Sequence, residues 1–308
     1  MNAVLDKVLV VGGSGQVGHA LLDLLPAHSA LGTYVQAPFE GGFQLDLAEL
    51  ARQPALAGTL LDERRPSAVI CAAGWNDVEG CEGQLARAMA INCEAPARLA
   101  AACAQRGTPF VYYSSEYVFD GARGPYVEGD TPAPISDYGR SKAEAERAII
   151  ERHARALILR TTVVYGRDRH AKNFAYRLAG TLAAGKPIRV PNDQVSTPTY
   201  NRDLAQMTLA LLQKRARGIY HACGFERMSR ADFARRVAVA AGLDPALIEG
   251  VDTRTLGQRA PRPLDAGLDC TTIAHELPTP HPLNVEAAIA HWLASSGPWW
   301  LSREEHAL

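Results

Sequence analysis

Short apolar runs alternate with stretches of helical periodicity through the first half of the chain. KVLVVGG (7–13), ALGTYVQ (30–36), SAVICAA (67–73), TPFVYYSS (108–115) and ALILRTTVVYG (156–166) place apolar residues at consecutive rather than alternate positions. Such runs predict strands covered on both faces, and most of the segments between them are long enough for crossover helices. The predicted fold class is therefore α/β: a doubly wound parallel sheet with a smaller, partly interleaved C-terminal substrate domain. One helix is expected over LARAMAINCEAPARLAAACAQRG, closed by Gly107 before a strand that starts at Thr108.

Beyond Asn173 the alternation loosens into GKPIRVPNDQVSTPTYNRDLA, a short strand GIYHAC, a helix SRADFARRVAVAAGL and a proline-rich QRAPRPLDAGLD. Residues 1–170 read as a dinucleotide-binding domain, with a later segment at about 195–222 returning to it, and 171–308 as mainly the substrate-binding domain.

Charge narrows the function classes. Lysine plus arginine (32) nearly balances aspartate plus glutamate (33) in the 308 residues, with no like-charge block. That argues against a nucleic-acid footprint or a basic membrane-binding stripe. No apolar run reaches the roughly 18 residues of a membrane span. The opening MNAVLDKVLVVGG enters a strand with no basic and apolar leader before it, so the cytoplasm is the expected location. Cys71, Cys81, Cys93, Cys103, Cys223 and Cys270 form no C-x-x-C pair and read as small reduced core residues. The nine histidines show no ligand spacing, and no protein-built metal site is expected.

The chemistry begins at VLVVGGSGQVGHALLDLL, a strand, a glycine loop and a helix in that order. Gly13, Gly15 and Gly18 satisfy G-x-G-x-x-G, while Gly12, Gly15 and Gly18 satisfy the looser G-x-x-G-x-x-G. Glycines there let the backbone approach a pyrophosphate at a helix N-terminus, where free N–H groups favour an anion, so the sheet reads as a Rossmann fold. The acid expected after the second strand is replaced by Gln36 and Ala37, and no Lys or Arg lies between Lys7 and Arg52. Both NADP(H) and NAD(H) stay open as the cofactor.

Tyr138 and Lys142 in PISDYGRSKAEAERAI sit one helical turn apart on one face. A free tyrosine titrates at about 10, and a neighbouring ammonium favours the phenolate, so Lys142 is expected to lower the Tyr138 pKa. Ser114 and Ser115 end the fourth strand, where a doubly wound sheet places its ligand crevice.

With these residues the sequence resembles the extended short-chain dehydrogenase/reductases, and within them the dTDP-4-dehydrorhamnose reductase-like, sugar-nucleotide-binding branch. The resemblance rests on GGSGQVG, CAAGWNDVEGCE, INCEAPARLA, SSEYVFDG, PYVEGD, YGRSK, LRTTVVYG, Asn173-Phe174 and DQVSTPTYNRDLA, in family order over about two-thirds of the chain. It implies an NAD(P)H-dependent reductase of a keto group on a nucleotide-linked deoxysugar. Ser115 would hold the substrate carbonyl, Tyr138 would be the general acid, and Lys142 would bind the nicotinamide ribose. Gly12, Gly15, Gln16, Val17 and Gly18 would take the pyrophosphate, Asp46 and Leu47 would border the adenine, and Ala72, Ala73 and Gly74 would line the cofactor. Trp75, Glu116, Tyr117, Val163, Asn173 and Arg262 would meet the substrate. The expected partner is a small-molecule nucleotide sugar, without nucleic acid or membrane, and a homodimer is left open.

Three positions depart from the branch: Ser115-Glu116 where it usually has Thr-Asp, Val163 where a tryptophan packs on the sugar, and Ser196 where a glycine is usual. The same superfamily holds a non-catalytic reading, that of the regulatory beta subunit of methionine adenosyltransferase, and an epimerase or dehydratase reading. Ser115, Tyr138 and Lys142 together favour an enzyme, and a single acid at Glu116 is too few for water elimination. Asn92 is read either as orienting the site or as an internal helix hydrogen bond, and Trp299 and Trp300 as packing residues.

Overall fold

The structure, a computed structural model, describes residues 5–279 and 281–298; Trp299 and Trp300 lie outside them. Among the described residues seven strands form one parallel sheet: β1 (Val8–Val11), β2 (Ala30–Tyr34), β3 (Gly42–Gln44), β4 (Ala68–Cys71), β5 (Phe110–Ser115), β6 (Leu157–Thr161) and β7 (Gly218–His221). Their order is β7-β6-β5-β4-β1-β2-β3, so the winding reverses between β1 and β4 and opens a crevice at the C-terminal strand ends. All five strands expected from the apolar runs are present. The short edge strand β3 carries only one large apolar residue, Phe43, and leaves no run to read.

Strand β1 shows why the runs are continuous. Val8 and Val10 face one core with Leu21 of α1 (Gln16–Leu24) and Leu204 and Leu211 of the helix Asn201–Gln213. Leu9 and Val11 face the other with Leu50, Leu61, Leu99 and Ile149, all from helices on the opposite side. Each side chain leaves water, so every position along the strand must be apolar.

The expected helix over 85–107 is not one regular helix. It runs as Leu85–Met89, a π-helical segment Ala90–Glu94 and Ala95–Arg106, closed by Gly107 at φ +66°. The widened segment carries Asn92, which is 1% exposed, into the protein. Tyr112 on β5 donates its hydroxyl to the Asn92 carbonyl at 2.7 Å, supplying a partner for backbone displaced from the α-helical ladder.

A third core gathers Leu178 and Leu182 of the helix Phe174–Ala183, Phe233 and Val237 of Arg230–Ala240, and Ile289 and Trp292 of Val285–Ser296. Small strand pairs tie this part together: Ile188–Pro191 with Ile248–Val251, and Val195–Ser196 with Met228–Ser229. Between the elements of this third core the chain returns to the sheet, because the helix Asn201–Gln213 covers it and β7 pairs with β6.

Candidate active site

At the switch point α1 begins after Gly15 with no side-chain cap and no acid in its first turn, leaving N–H groups free at its positive end. A Cβ on Gly18 would lie 2.1 Å from the Gly12 carbonyl oxygen, so helix and loop reach this approach only with glycine. Gln16 Nε2 is buried here without a hydrogen-bond partner. An uncapped helix end and an orphaned donor fit a dinucleotide pyrophosphate, and Gly12, Gly15, Gln16, Val17 and Gly18 would hold it.

The helix Asp137–Arg152 carries the tyrosine and lysine. Ser136 caps it by accepting from Gly139 N at 3.2 Å, which sets Tyr138 in the first turn and Lys142 in the next. A Cβ on Gly139 would stand 2.2 Å from the Tyr117 carbonyl oxygen, so the glycine lets this helix press against the turn that follows β5. Ser115 ends β5 and donates its hydroxyl to Glu116 Oε2 at 2.5 Å. The Tyr117 ring meets the Tyr138 ring edge-on at 5.4 Å, and Tyr138 packs with Cys81, Ala88 and Trp75.

Electrostatics here reverse one expectation. Burial raises the Tyr138 pKa well above that of a free phenol, Glu116 adds to the rise, and the Ser115 hydroxyl offsets part of it. Lys142 does not hydrogen-bond Tyr138. Its ammonium donates to Tyr112 Oη at 2.9 Å and to the Tyr113 carbonyl at 2.6 Å, and burial lowers its pKa to about 8. Without a ligand the tyrosine is therefore held as the protonated phenol, because desolvation outweighs a cation committed elsewhere. Lys142 Nζ also lies 4.0 Å from where a Gly74 Cβ would stand, on the loop after β4.

Asn92 joins the two sides of the site. Its Oδ1 accepts from Trp75 N at 2.7 Å, and its Nδ2 donates to the Trp75 carbonyl at 3.0 Å and to Ser141 Oγ at 3.1 Å. The loop after β4, with Ala72, Ala73, Gly74 and Trp75, is thereby fixed to the helix of Tyr138 and Lys142. Of the two sequence readings of Asn92, the geometry favours the orienting one.

Other expected residues are drawn into local structure. Asp46 caps the helix Leu47–Arg52 through Ala48 N at 2.8 Å, and Leu47 is buried in the sheet core. Asn173 caps Phe174–Ala183 and donates to the Gly166 carbonyl at 3.0 Å. Val163 is half-buried at φ +39°, a left-handed conformation rare for a β-branched residue. Arg262 is neither free nor solvated: it donates to Tyr117 Oη at 3.1 Å and to Glu79 Oε1 at 2.6 Å.

Arg230 was not legible in the sequence, where it resembles the neighbouring surface charges Arg235 and Arg236. Its guanidinium lies 4.5 Å from the Phe174 ring centroid, and burial lowers its pKa. Tyr117 and Glu116 are the groups that favour its charge, and it has no ion-pair partner among the described residues. Arg169 was missed for the same reason; it lies 5.2 Å over the Phe39 ring, near the end of β2.

The sequence family described as RmlD substrate binding domain matches residues 6–296. The chain is 36% identical over 277 residues to a probable low-salt glycan biosynthesis reductase, Agl14, of Haloferax volcanii, covering 87% of this chain and 91% of that one. It is 33% identical over 266 residues to dTDP-4-dehydrorhamnose reductase of Mycobacterium tuberculosis, covering 83% of each. Its fold is similar to the crystal structure of dTDP-4-dehydrorhamnose reductase from Bacillus anthracis in complex with NADP, with a TM-score of 0.83, 25% identity, and coverage of 94% of this chain and 99% of that one.

Proposed function

The chain belongs to the RmlD substrate binding domain family, and on that footing we propose that it is an NAD(P)H-dependent reductase of a keto group on a nucleotide-linked deoxysugar. The observation that carries this reading is the meeting of strand-end Ser115, helix-borne Tyr138 and Lys142 beside an uncapped glycine-loop helix. When bound, a reduced nicotinamide cofactor supplies the hydride.

The chain's own residues supply the rest. Ser115 stands at the strand end with its hydroxyl donated to buried Glu116 at 2.5 Å, and because it has one proton to give, that proton would turn from Glu116 to the carbonyl oxygen when substrate binds. Tyr138, kept as the neutral phenol by burial, holds the proton to be delivered at its hydroxyl oxygen. Lys142 stands beside Gly74, placed for a ribose, and stays linked through Tyr112 to the Asn92 carbonyl. Ala72, Ala73 and Gly74 would line the cofactor, and Trp75, with Arg87 4.4 Å over its ring, would meet the substrate.

The substrate would enter from the C-terminal part, where Arg262 and Arg230 flank Tyr117 and suit a diphosphate. We divide the chain near residue 170 on this reading and place its action in the cytoplasm; no helix among the described residues is long and apolar enough to cross a membrane.

The test is an assay of the purified protein with NADPH and with NADH against a panel of 4-keto nucleotide sugars that includes dTDP-4-dehydrorhamnose. Reduction of at least one supports the reading. A protein that binds the cofactor and turns over none of them would overturn it in favour of a regulatory subunit.

A further inference from the structure

We propose that Cys223 and Cys270 form a reversible disulfide in the native protein when it meets a hydroperoxide. Cys223 lies just beyond β7, and Cys270 immediately precedes the short helix Thr271–Glu276. Their sulfurs are 2.7 Å apart, inside the roughly 3.5–4.0 Å at which unbonded heavy atoms settle. A bond of about 2.05 Å is therefore within reach of a small side-chain movement. All six cysteines are free and buried.

The two thiols have different surroundings, and the difference gives each a role. Cys270 is 9% exposed and lines a surface cavity of about 310 Å³ together with Pro125, Phe225 and Arg227. Cys223 is fully buried, and its sulfur accepts from Thr197 Oγ1 at 3.2 Å. That hydroxyl itself accepts from Leu268 N at 3.4 Å. Cys270 is the sulfur that a molecule the size of hydrogen peroxide meets first, and Cys223 is the resolving sulfur behind it.

The chemistry balances without another reactant. The Cys270 sulfur attacks one peroxide oxygen, the O–O bond breaks, and the departing hydroxide takes the thiol proton to leave as water. The Cys223 sulfur then attacks the sulfenic sulfur, the S–O bond breaks, and a second water leaves with the Cys223 proton. Two thiols are oxidised to one disulfide and one hydroperoxide is reduced. The link closes the chain from 223 to 270, and that loop contains Arg262 and the strand Ile248–Val251.

The experiment uses the full chain, reduced and then exposed to hydrogen peroxide in native buffer, with remaining thiols alkylated before peptide mapping. The expected result is one cross-linked peptide joining Cys223 to Cys270 that separates on reduction. With it the midpoint of thermal unfolding should rise by about 4 °C or more, and neither change should occur in Cys270→Ser. If Cys270→Ser fails to fold, the map of the unsubstituted chain decides. Recovery of the two cysteines as separate alkylated or sulfinic peptides, or a link that forms only in denaturant, overturns the proposal.

Discussion

At the scale of single residues, the proposed mechanism separates the group that would give a proton, Tyr138, from the group that carries a charge, Lys142. Tyr138→Phe removes the hydroxyl with little change in volume, so turnover should fall by at least about a hundredfold; cofactor affinity, read by titration of the same protein, should stay within error. Lys142 titrates at about 8 in the fold against an ordinary 10.5 because it is buried. Between those values the unfolded chain binds more protons than the folded one, so stability rises with pH across that window. Below pH 8 the buried ammonium is a constant cost that Lys142→Met removes, together with the hydrogen bonds to Tyr112 and the Tyr113 carbonyl, whose loss acts at every pH. Thermal melts of the ligand-free proteins at a series of pH values should show the parent gaining on the Met variant between pH 8 and pH 10.5, while turnover is lost. A difference that stays flat across that window contradicts this. On the proposed reading, Val163 and Arg230 bear on the substrate. Val163→Trp should move the ratio of kcat/KM toward dTDP-4-dehydrorhamnose and away from the enzyme's own substrate, since added volume in a fitted pocket costs about 1–3 kcal/mol; an unchanged ratio removes Val163 from the pocket. Arg230→Ala should raise KM for the nucleotide sugar about tenfold or more, as loss of a charged hydrogen bond does, and leave the NADPH dissociation constant alone.

At the scale of elements, the five buried strands and the Gly107 helix stop were legible because burial on both faces and a left-handed cap leave plain marks in sequence. The π-helical segment left none. AMAINCEAP has good helical pattern on either side of it, and the extra residue in the turn is favoured only by partners distant in sequence: Trp75, Tyr112 and Ser141. Likewise Ser115, Tyr138 and Lys142 could be found by spacing, but the direction of the Tyr138 shift could not, since it depends on how tightly Tyr117 and Glu116 close over the ring. Asn92→Ala should leave the Trp75 N–H unpaired and its carbonyl with only the Cys81 thiol at 3.6 Å, and lower stability by about 1–3 kcal/mol. It should also lower kcat beyond what lost folded protein explains, which active-site titration against a thermal melt separates.

At the scale of the whole molecule, cofactor choice is set where distant segments meet. With no acid and no base in the sequence at the end of β2, and, among the described residues, Arg169 over Phe39 and Arg64 over Phe43 of neighbouring β3 as cations brought near it, discrimination between NADPH and NADH should stay within about tenfold, or about 1.4 kcal/mol. Titration with each cofactor checks this, and a thousandfold preference contradicts it. The placement of β7 bears on synthesis. The first 170 residues supply six strands of the sheet, yet the strand that covers the edge of β6 arrives only at Gly218–His221, after the whole of the helix Asn201–Gln213 that seals one face. On a ribosome adding roughly 5–20 residues each second, a nearly complete sheet waits several seconds with one edge unpaired. A shortened chain ending near 170 keeps that vulnerability for good, so the nascent protein depends on its own late-emerging strand, or on a chaperone standing in for it, to stay out of aggregates.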